Sequence, residues 1–167
     1  MSNAGKTYAL CGQNFSKDDN IIHFVGEVDE LNSHLGLIKA MLSGSADNLQ
    51  KRDISFTTSQ FIENIQKKLM KLMSHASDIK NSDYFFSENE TADLEKEIDK
   101  LTDNLPKLTN FVLPGKSVIE AHIQIARAVA RRAERCFFSV KGQLCPHAGE
   151  YLNKLSGYLF ILSQKEY

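Results

Sequence analysis

Four arginines and a glutamate crowd one stretch of the chain, Ile123-Gln124-Ile125-Ala126-Arg127-Ala128-Val129-Ala130-Arg131-Arg132-Ala133-Glu134-Arg135. On a helix, Arg127, Arg131 and Glu134 fall within roughly 60° of one another. Arg135 shares that flank and Arg132 points further out. The group borders an apolar stripe formed by Ile119, Ile123, Ala126, Ala130 and Phe137. Several guanidinium groups on one flank make a receptor for phosphate oxygens, since each offers a planar fork of donors. A solvated face with Glu134 paired to Arg131 or Arg127 would use the same residues. Earlier in the chain, Glu27-Val28-Asp29-Glu30-Leu31-Asn32-Ser33 sets Asp29 at the edge of another stripe. There it either meets an arginine from a packed helix or belongs to an ordinary acidic face. The apolar loop Phe111-Val112-Leu113-Pro114-Gly115 precedes the arginines. It suits a plug for a bundle, or a wall for a planar ligand.

Other chemistry is thin. Gly5-Lys6-Thr7 resembles a fragment of a phosphate loop, without the upstream glycine, the spacing or the preceding strand of a Walker A motif. The five histidines form no HExxH or ExxH pairing, which disfavours a zinc protease or a di-iron bundle, and no bound metal is expected. Cys11, Cys136 and Cys145 are odd in number and make no CxxC pair, so a reducing cytoplasm is the expected setting. Cys145 and His147, close in sequence, read as structural. No Ser/His/Asp triad is deducible.

The elements that must carry these residues are helices. Ile21, Phe24, Val25, Val28, Leu31, Leu35, Ile38 and Leu42 recur at three- and four-residue steps, which predicts a helix from after Asp18-Asp19 to about Ser43, stopped at Gly44. Residues 45–53 read as a polar loop. A second helix is expected over Thr58 to Lys80, with Phe61, Ile62, Ile65, Leu69, Leu72, Met73, Ala76 and Ile79 on its stripe and Thr57 with Gln60 as a capping box. A third spans Glu88 to Asn104, with Leu94, Ile98 and Leu101 inward and Ser87 with Glu90 as its box. Ser117 and Glu120 cap the fourth, which reaches about Lys141. The fifth follows Pro146 and stacks Ala148, Leu152, Leu155, Leu159 and Leu162. All three prolines, Pro106, Pro114 and Pro146, fall beside expected helix boundaries, and no sustained strand alternation is present.

The chain has 167 residues, enough for one domain with a sizeable core. Its 20 Lys+Arg against 21 Asp+Glu argue against a nucleic-acid binder. No apolar run approaches the roughly 18–20 residues that span a bilayer, and no signal-peptide core opens the chain. Long amphipathic helices on short loops must bury their stripes against each other, so the expected fold is all-α, a single up-down bundle of four to five helices over residues 1–167.

Taken in order, these segments resemble the PduO-type ATP:corrinoid adenosyltransferases. The resemblance rests on Gly5-x-Thr7 with Gly12 and Lys17-Asp18-Asp19, then Gly26-Glu27-Val28-Asp29-Glu30-Leu31-Asn32-Ser33 with Leu35-Gly36. Phe111 to Gly115, Ala126 to Arg135 and Tyr151-Leu152-Asn153-Lys154-Leu155-Ser156 complete it. It implies a ferritin-like bundle that assembles as a homotrimer, with ATP and corrinoid bound between subunits. It also implies transfer of the 5′-deoxyadenosyl group from ATP to cob(I)alamin or another reduced corrinoid, giving adenosylcobalamin and triphosphate. Reduced cobalt is itself the nucleophile, in keeping with the missing triad. The protein orients two ligands and, with Mg²⁺, stabilises the leaving group.

By the same resemblance, Thr7 and Lys17 match N-terminal nucleotide contacts, with residues 1–18 as a remnant of the nucleotide loop. Arg131, Arg132, Glu134 and Arg135 match the ATP-contacting stretch, and Asn153 matches a further ATP contact. Asp29 and Arg127 match a salt-bridged pair at the subunit interface, and Phe111 the aromatic residue that displaces the corrinoid's lower ligand. The chain departs from the family at its start, where Met1 to Ala4 stand in place of part of a Thr-x-Thr-Gly-Asp-x-Gly stretch. Lys116 stands where a second glycine is common, and could supply phosphate-binding charge; Gly157 stands where Asp is usual. A non-catalytic corrinoid- or nucleotide-binding paralogue, or a purely structural helical oligomer, would share the bundle.

Overall fold

The computed structural model describes residues 5–8, 12, 14–44, 49–103, 105 and 111–165, with backbone alone at 44, 49–55 and 82. Met1 to Ala4, Cys11 and Pro106 lie outside the described residues. The order of elements is β1 (Lys6–Tyr8), β2 (Asn14–Ser16), α1 (Asn20–Gly44), α2 (Leu49–Ser77), a 3₁₀ turn (Ser82–Tyr84), α3 (Asn89–Thr102), α4 (Val118–Val140) and α5 (His147–Leu162).

Helix α1 starts where the Asp19 carboxylate accepts the Ile21 N–H at 2.9 Å, an N-terminal cap. Ile21, Phe24, Val28, Leu31, Leu35, Ile38 and Leu42 are all buried at alternating three- and four-residue steps. That spacing keeps one seam facing its neighbours along the whole helix. Helix α4 repeats it with Ile119, Ile123, Ala126, Ala130, Ala133 and Phe137, whose three alanines admit a close approach.

Successive helices run antiparallel. Lys39 of α1 reaches Glu63 of α2 while Asn32 of α1 accepts from Gln66 of α2. Phe61 of α2 packs on Tyr158 of α5, and Lys68 lies over Tyr151. Helices α4 and α5 pair Gln124 with Ser163 at one end and Glu134 with Asn153 further along. Helix α3 flanks the bundle, tied to α2 by Lys71–Glu90 at 2.7 Å and to α5 by Lys154–Glu95 at 2.7 Å. The fold is thus the expected up-down helical bundle, with α1, α2, α4 and α5 around one core.

Several boundaries differ from the sequence reading. Residues 49–53 are the first turns of α2 rather than a loop, because Leu49, Gln50, Lys51 and Arg52 are good helix formers and no Gly or Pro interrupts them. Thr57 therefore lies inside a helix and starts nothing. The helix ends at Ser77, so Ile79 falls beyond it and is exposed. Ser87 and Glu90 make no side-chain cap on α3, since the Glu90 carboxylate is taken by Lys68 and Lys71. The β1–β2 hairpin pairs Thr7 with Phe15 and was not anticipated; three residues per strand are too few to show alternation.

Two sites set the junctions. Gly149 opens α5 beneath the Phe137 ring, where an added Cβ would lie 2.5 Å from a ring carbon. Gly149→Ala is expected to destabilise the fold by about 1–3 kcal/mol through overpacking, despite a helix-propensity gain of ~1 kcal/mol. Denaturant unfolding checks this; a variant as stable as the parent would contradict it.

At the other junction the buried His75 ring accepts the Cys145 N–H at Nε2, 3.4 Å away, while the Cys145 thiol donates to the Phe86 carbonyl at 2.8 Å. Burial, helped by the Lys71 charge, holds the His75 pKa below its ordinary 6.5. The unfolded chain thus takes up this proton at higher pH than the folded one, so stability is full above about pH 6.5 and declines as pH falls toward the folded pKa. Unfolding free energies at pH 7.5 and 5.5 are expected to fall more in the parent than in His75→Gln; equal losses would remove His75 from the effect.

Candidate ligand site on the arginine helix

Helix α4 is held on two faces, by α1 and by α5, and its remaining flank carries the arginines. The Ser117 hydroxyl accepts the Glu120 N–H at 3.1 Å, as expected for its cap. The Glu120 carboxylate turns back further than a capping box requires, accepting the N–H groups of Gly115 at 2.7 Å and Lys116 at 3.1 Å. Gly115 has φ +111°, a conformation that L side chains rarely adopt, and this lets the loop double back onto the helix start. The base of the Phe111 loop is therefore anchored to α4. Above it Phe111 is fully exposed and Leu113 nearly so. The loop is no bundle plug. Leaving such a side chain in water forgoes roughly 1.5–3 kcal/mol of burial.

The arginines separate into distinct environments. Arg132, which the helical wheel directed outward, is half-buried and hydrogen-bonded to both Glu27 and Glu30 of α1. The Glu27 hydrogen bond, reinforced by both carboxylate charges, raises its pKa above the ordinary value. The acidic stretch of α1 thus does meet an arginine, through Glu27 and Glu30 and not through Asp29. Arg127 donates from Nε to the Gln124 carbonyl at 2.7 Å. Arg131 and Arg135 are exposed, and Arg135 donates to the Arg131 carbonyl oxygen at 3.1 Å. Among the described residues, only Arg132 of these four forms an ion pair.

Glu134 does not neutralise Arg131 or Arg127. Its carboxylate accepts the Asn153 amide at 2.9 Å, which joins two expected site residues across α4 and α5. Asp29 is exposed on α1 and makes no ion pair with Arg127 within the chain. Thr7 is half-buried on β1, and Lys17 lies exposed in the turn after β2, its N–H donating to the Gly5 carbonyl at 2.9 Å. Beside it, the Asp18 carboxylate accepts from Ser16, which lowers its pKa. Lys116 is exposed at the foot of the Phe111 loop. Gln124, Glu27 and Glu30 were not singled out beforehand. The available signal was their spacing: Gln124 lies three residues before Arg127, and Glu27 and Glu30 share one helical face.

The chain is thus a helical bundle whose α4 carries Arg131 and Arg135 with no ion pair among the described residues, above an apolar loop anchored at that helix's start. A sequence model described as cobalamin adenosyltransferase matches residues 2–166, and the chain belongs to that family. It is 31% identical over 166 residues to the human corrinoid adenosyltransferase MMAB, covering 96% of this chain and 64% of the relative. It is 32% identical to the Citrobacter freundii corrinoid adenosyltransferase PduO, covering 98% of this chain and 47% of the relative. The chain thus spans between about half and two thirds of those two proteins. A Bacillus subtilis corrinoid adenosyltransferase is 33% identical over 158 residues, covering 93% of this chain and 78% of the relative.

Solved structures agree. A phenylalanine-to-alanine variant of a PduO-type ATP:corrinoid adenosyltransferase from Lactobacillus reuteri, complexed with cobalamin and ATP, superposes with a TM-score of 0.82 at 28% identity, over 97% of this chain and 88% of that one. An arginine-to-lysine variant of that enzyme complexed with ATP gives 0.81 over 97% and 89%.

The Arg132 ion pairs are part-exposed and should be worth modest stability. Arg132→Met is expected to cost about 1 kcal/mol or less in unfolding free energy, with the loss shrinking at high salt. An effect independent of ionic strength would mean that packing, not charge, holds α4 to α1 here.

Proposed function

We propose that this chain transfers the 5′-deoxyadenosyl group of ATP to cob(I)alamin or a related reduced corrinoid. The cobalt lone pair forms the bond to C5′, the C5′–O bond breaks, and triphosphate leaves with that electron pair. The observation that carries this reading is the set of arginines on α4, Arg127, Arg131 and Arg135, that no described carboxylate neutralises, beside the exposed Phe111. Family membership supplies the reaction class.

In this reading Arg131 and Arg135 bind the triphosphate and stabilise the charge that develops on it. Asn153 and Glu134, already joined, contribute further nucleotide contacts, and the hairpin brings Thr7 and Lys17 to the same ligand. Phe111 provides the apolar wall against the corrinoid that excludes a lower axial ligand. Asp29 and Arg127 pair between neighbouring subunits of a homotrimer, which accounts for their lack of an ion pair within one chain. Arg132, expected at the nucleotide, acts by fixing α4 against α1. Mg²⁺ enters as the ATP complex; among the described residues no group of three or more His, Cys, Asp or Glu could hold an ion. No helix of the described residues is long and apolar enough to cross a membrane. We place the enzyme in the cytoplasm.

The test is conversion of cob(I)alamin to its adenosyl form with Mg-ATP, followed by absorbance. Turnover is expected, and Arg131→Ala should lower kcat/KM for ATP on the order of 100-fold with unchanged helical circular dichroism. No product at high enzyme concentration would overturn the catalytic reading. Corrinoid binding without turnover would assign the chain to the non-catalytic alternative.

A further inference from the structure

Gln124 is an amide where the helix-facing pattern calls for an apolar side chain. It is buried on α4 against the end of α5, and a buried amide is costly unless its hydrogen bonds are made. They are made on both sides. Its Nε2 donates to the Ser163 hydroxyl at 3.0 Å, and its Oε1 accepts from Arg127 Nε at 2.7 Å. Ser163, itself buried, donates its single hydroxyl proton to the Phe160 carbonyl at 2.6 Å and also accepts from Gln164 Nε2 at 2.8 Å.

This arrangement has one polarity. A carbonyl can only accept, so the Ser163 proton belongs to Phe160 and the hydroxyl oxygen must accept from Gln124. An arginine Nε can only donate, so the Gln124 oxygen must face Arg127. Both ends therefore demand the same orientation of the amide. With Nε engaged, Arg127 keeps its Nη1–Nη2 edge for an outside partner. No described carboxylate of this chain occupies that edge.

We propose that Gln124, locked by Ser163 at the end of α5, is a positioning residue that aims the Arg127 guanidinium outward before any partner arrives. The functional consequence rests on the adenosyl-transfer reading, in which Arg127 meets Asp29 of a neighbouring subunit. The positioning itself does not. Holding a long cation in its productive orientation removes freedom that would otherwise be lost on assembly.

The experiment compares the full-length parent, Gln124→Leu, Gln124→His, Arg127→Ala and the Gln124→Leu/Arg127→Ala double variant. Gln124→Leu leaves Ser163 bonded to Phe160 and Gln164, so the fold should persist. At pH 8 a neutral imidazole offers the same acceptor and donor as the amide. The first readout is solvent exchange of the Arg127 Nε–H by NMR of ¹⁵N-arginine-labelled protein. Exchange should quicken on the order of tenfold in Gln124→Leu, as for loss of one hydrogen bond, and slow again in Gln124→His.

The second readout is steady-state adenosylation. Gln124→Leu should lower kcat/KM for the corrinoid by about tenfold, while adding nothing in the Arg127→Ala background. Unchanged Nε–H exchange in Gln124→Leu would overturn the positioning, as would losses that multiply in the double variant. A parent without turnover would count against the function alone, because the exchange readout decides the positioning without catalysis.

Discussion

Two packed faces on one helix constrain everything else in this molecule. Helix α4 gives Ile123, Ala126, Ala130 and Phe137 to the core while α1 closes over one side and α5 over the other. A helix has about 3.6 residues per turn, so a side chain excluded from both contacts must project from what remains. Arg131 and Arg135 occupy that remainder. Of the α4 arginines, Arg132 lies close enough to α1 for Glu27 and Glu30 to reach it, while Glu134, on the flank of Arg131, is taken by Asn153.

In the proposed reading, cations without a described carboxylate partner, a wholly exposed phenylalanine and an acidic residue on α1 without an ion pair to Arg127 are completed by an anion, a planar apolar body and a second copy of the protein. The hydrogen bonds beneath the surface point the same way. Glu120 holds the turn that carries Phe111, Gln124 holds Arg127, and Asn153 holds Glu134. Glu120 and Gln124 are themselves buried, which limits the ordering of the Phe111 loop and of Arg127 needed when ligands bind.

Much of this was legible in the sequence because a core repeats. The seams of α1, α4 and α5 could be read from spacing alone, and Ser117 caps α4 as its position suggested. Where the reading failed, the deciding information was not periodic. The polar start of α2 looked like a loop because polarity was weighed above the helix propensity of its residues. The hairpin was too short to show a pattern. Arg132 was placed outward by a wheel that knows one helix, whereas its partners sit on another. Gln124 was not singled out in the sequence, because Ser163, which fixes its orientation, lies thirty-nine residues away. The order of the family segments, more than any one of them, pointed to the site.

A crystal structure of the protein grown with Mg-ATP bears most directly on the arginine flank. The expected result is a triphosphate within hydrogen-bonding distance of the Arg131 guanidinium, in a cleft between two subunits bordered by Phe111. A nucleotide bound elsewhere, with Arg131 and Arg135 facing bulk water, would contradict it.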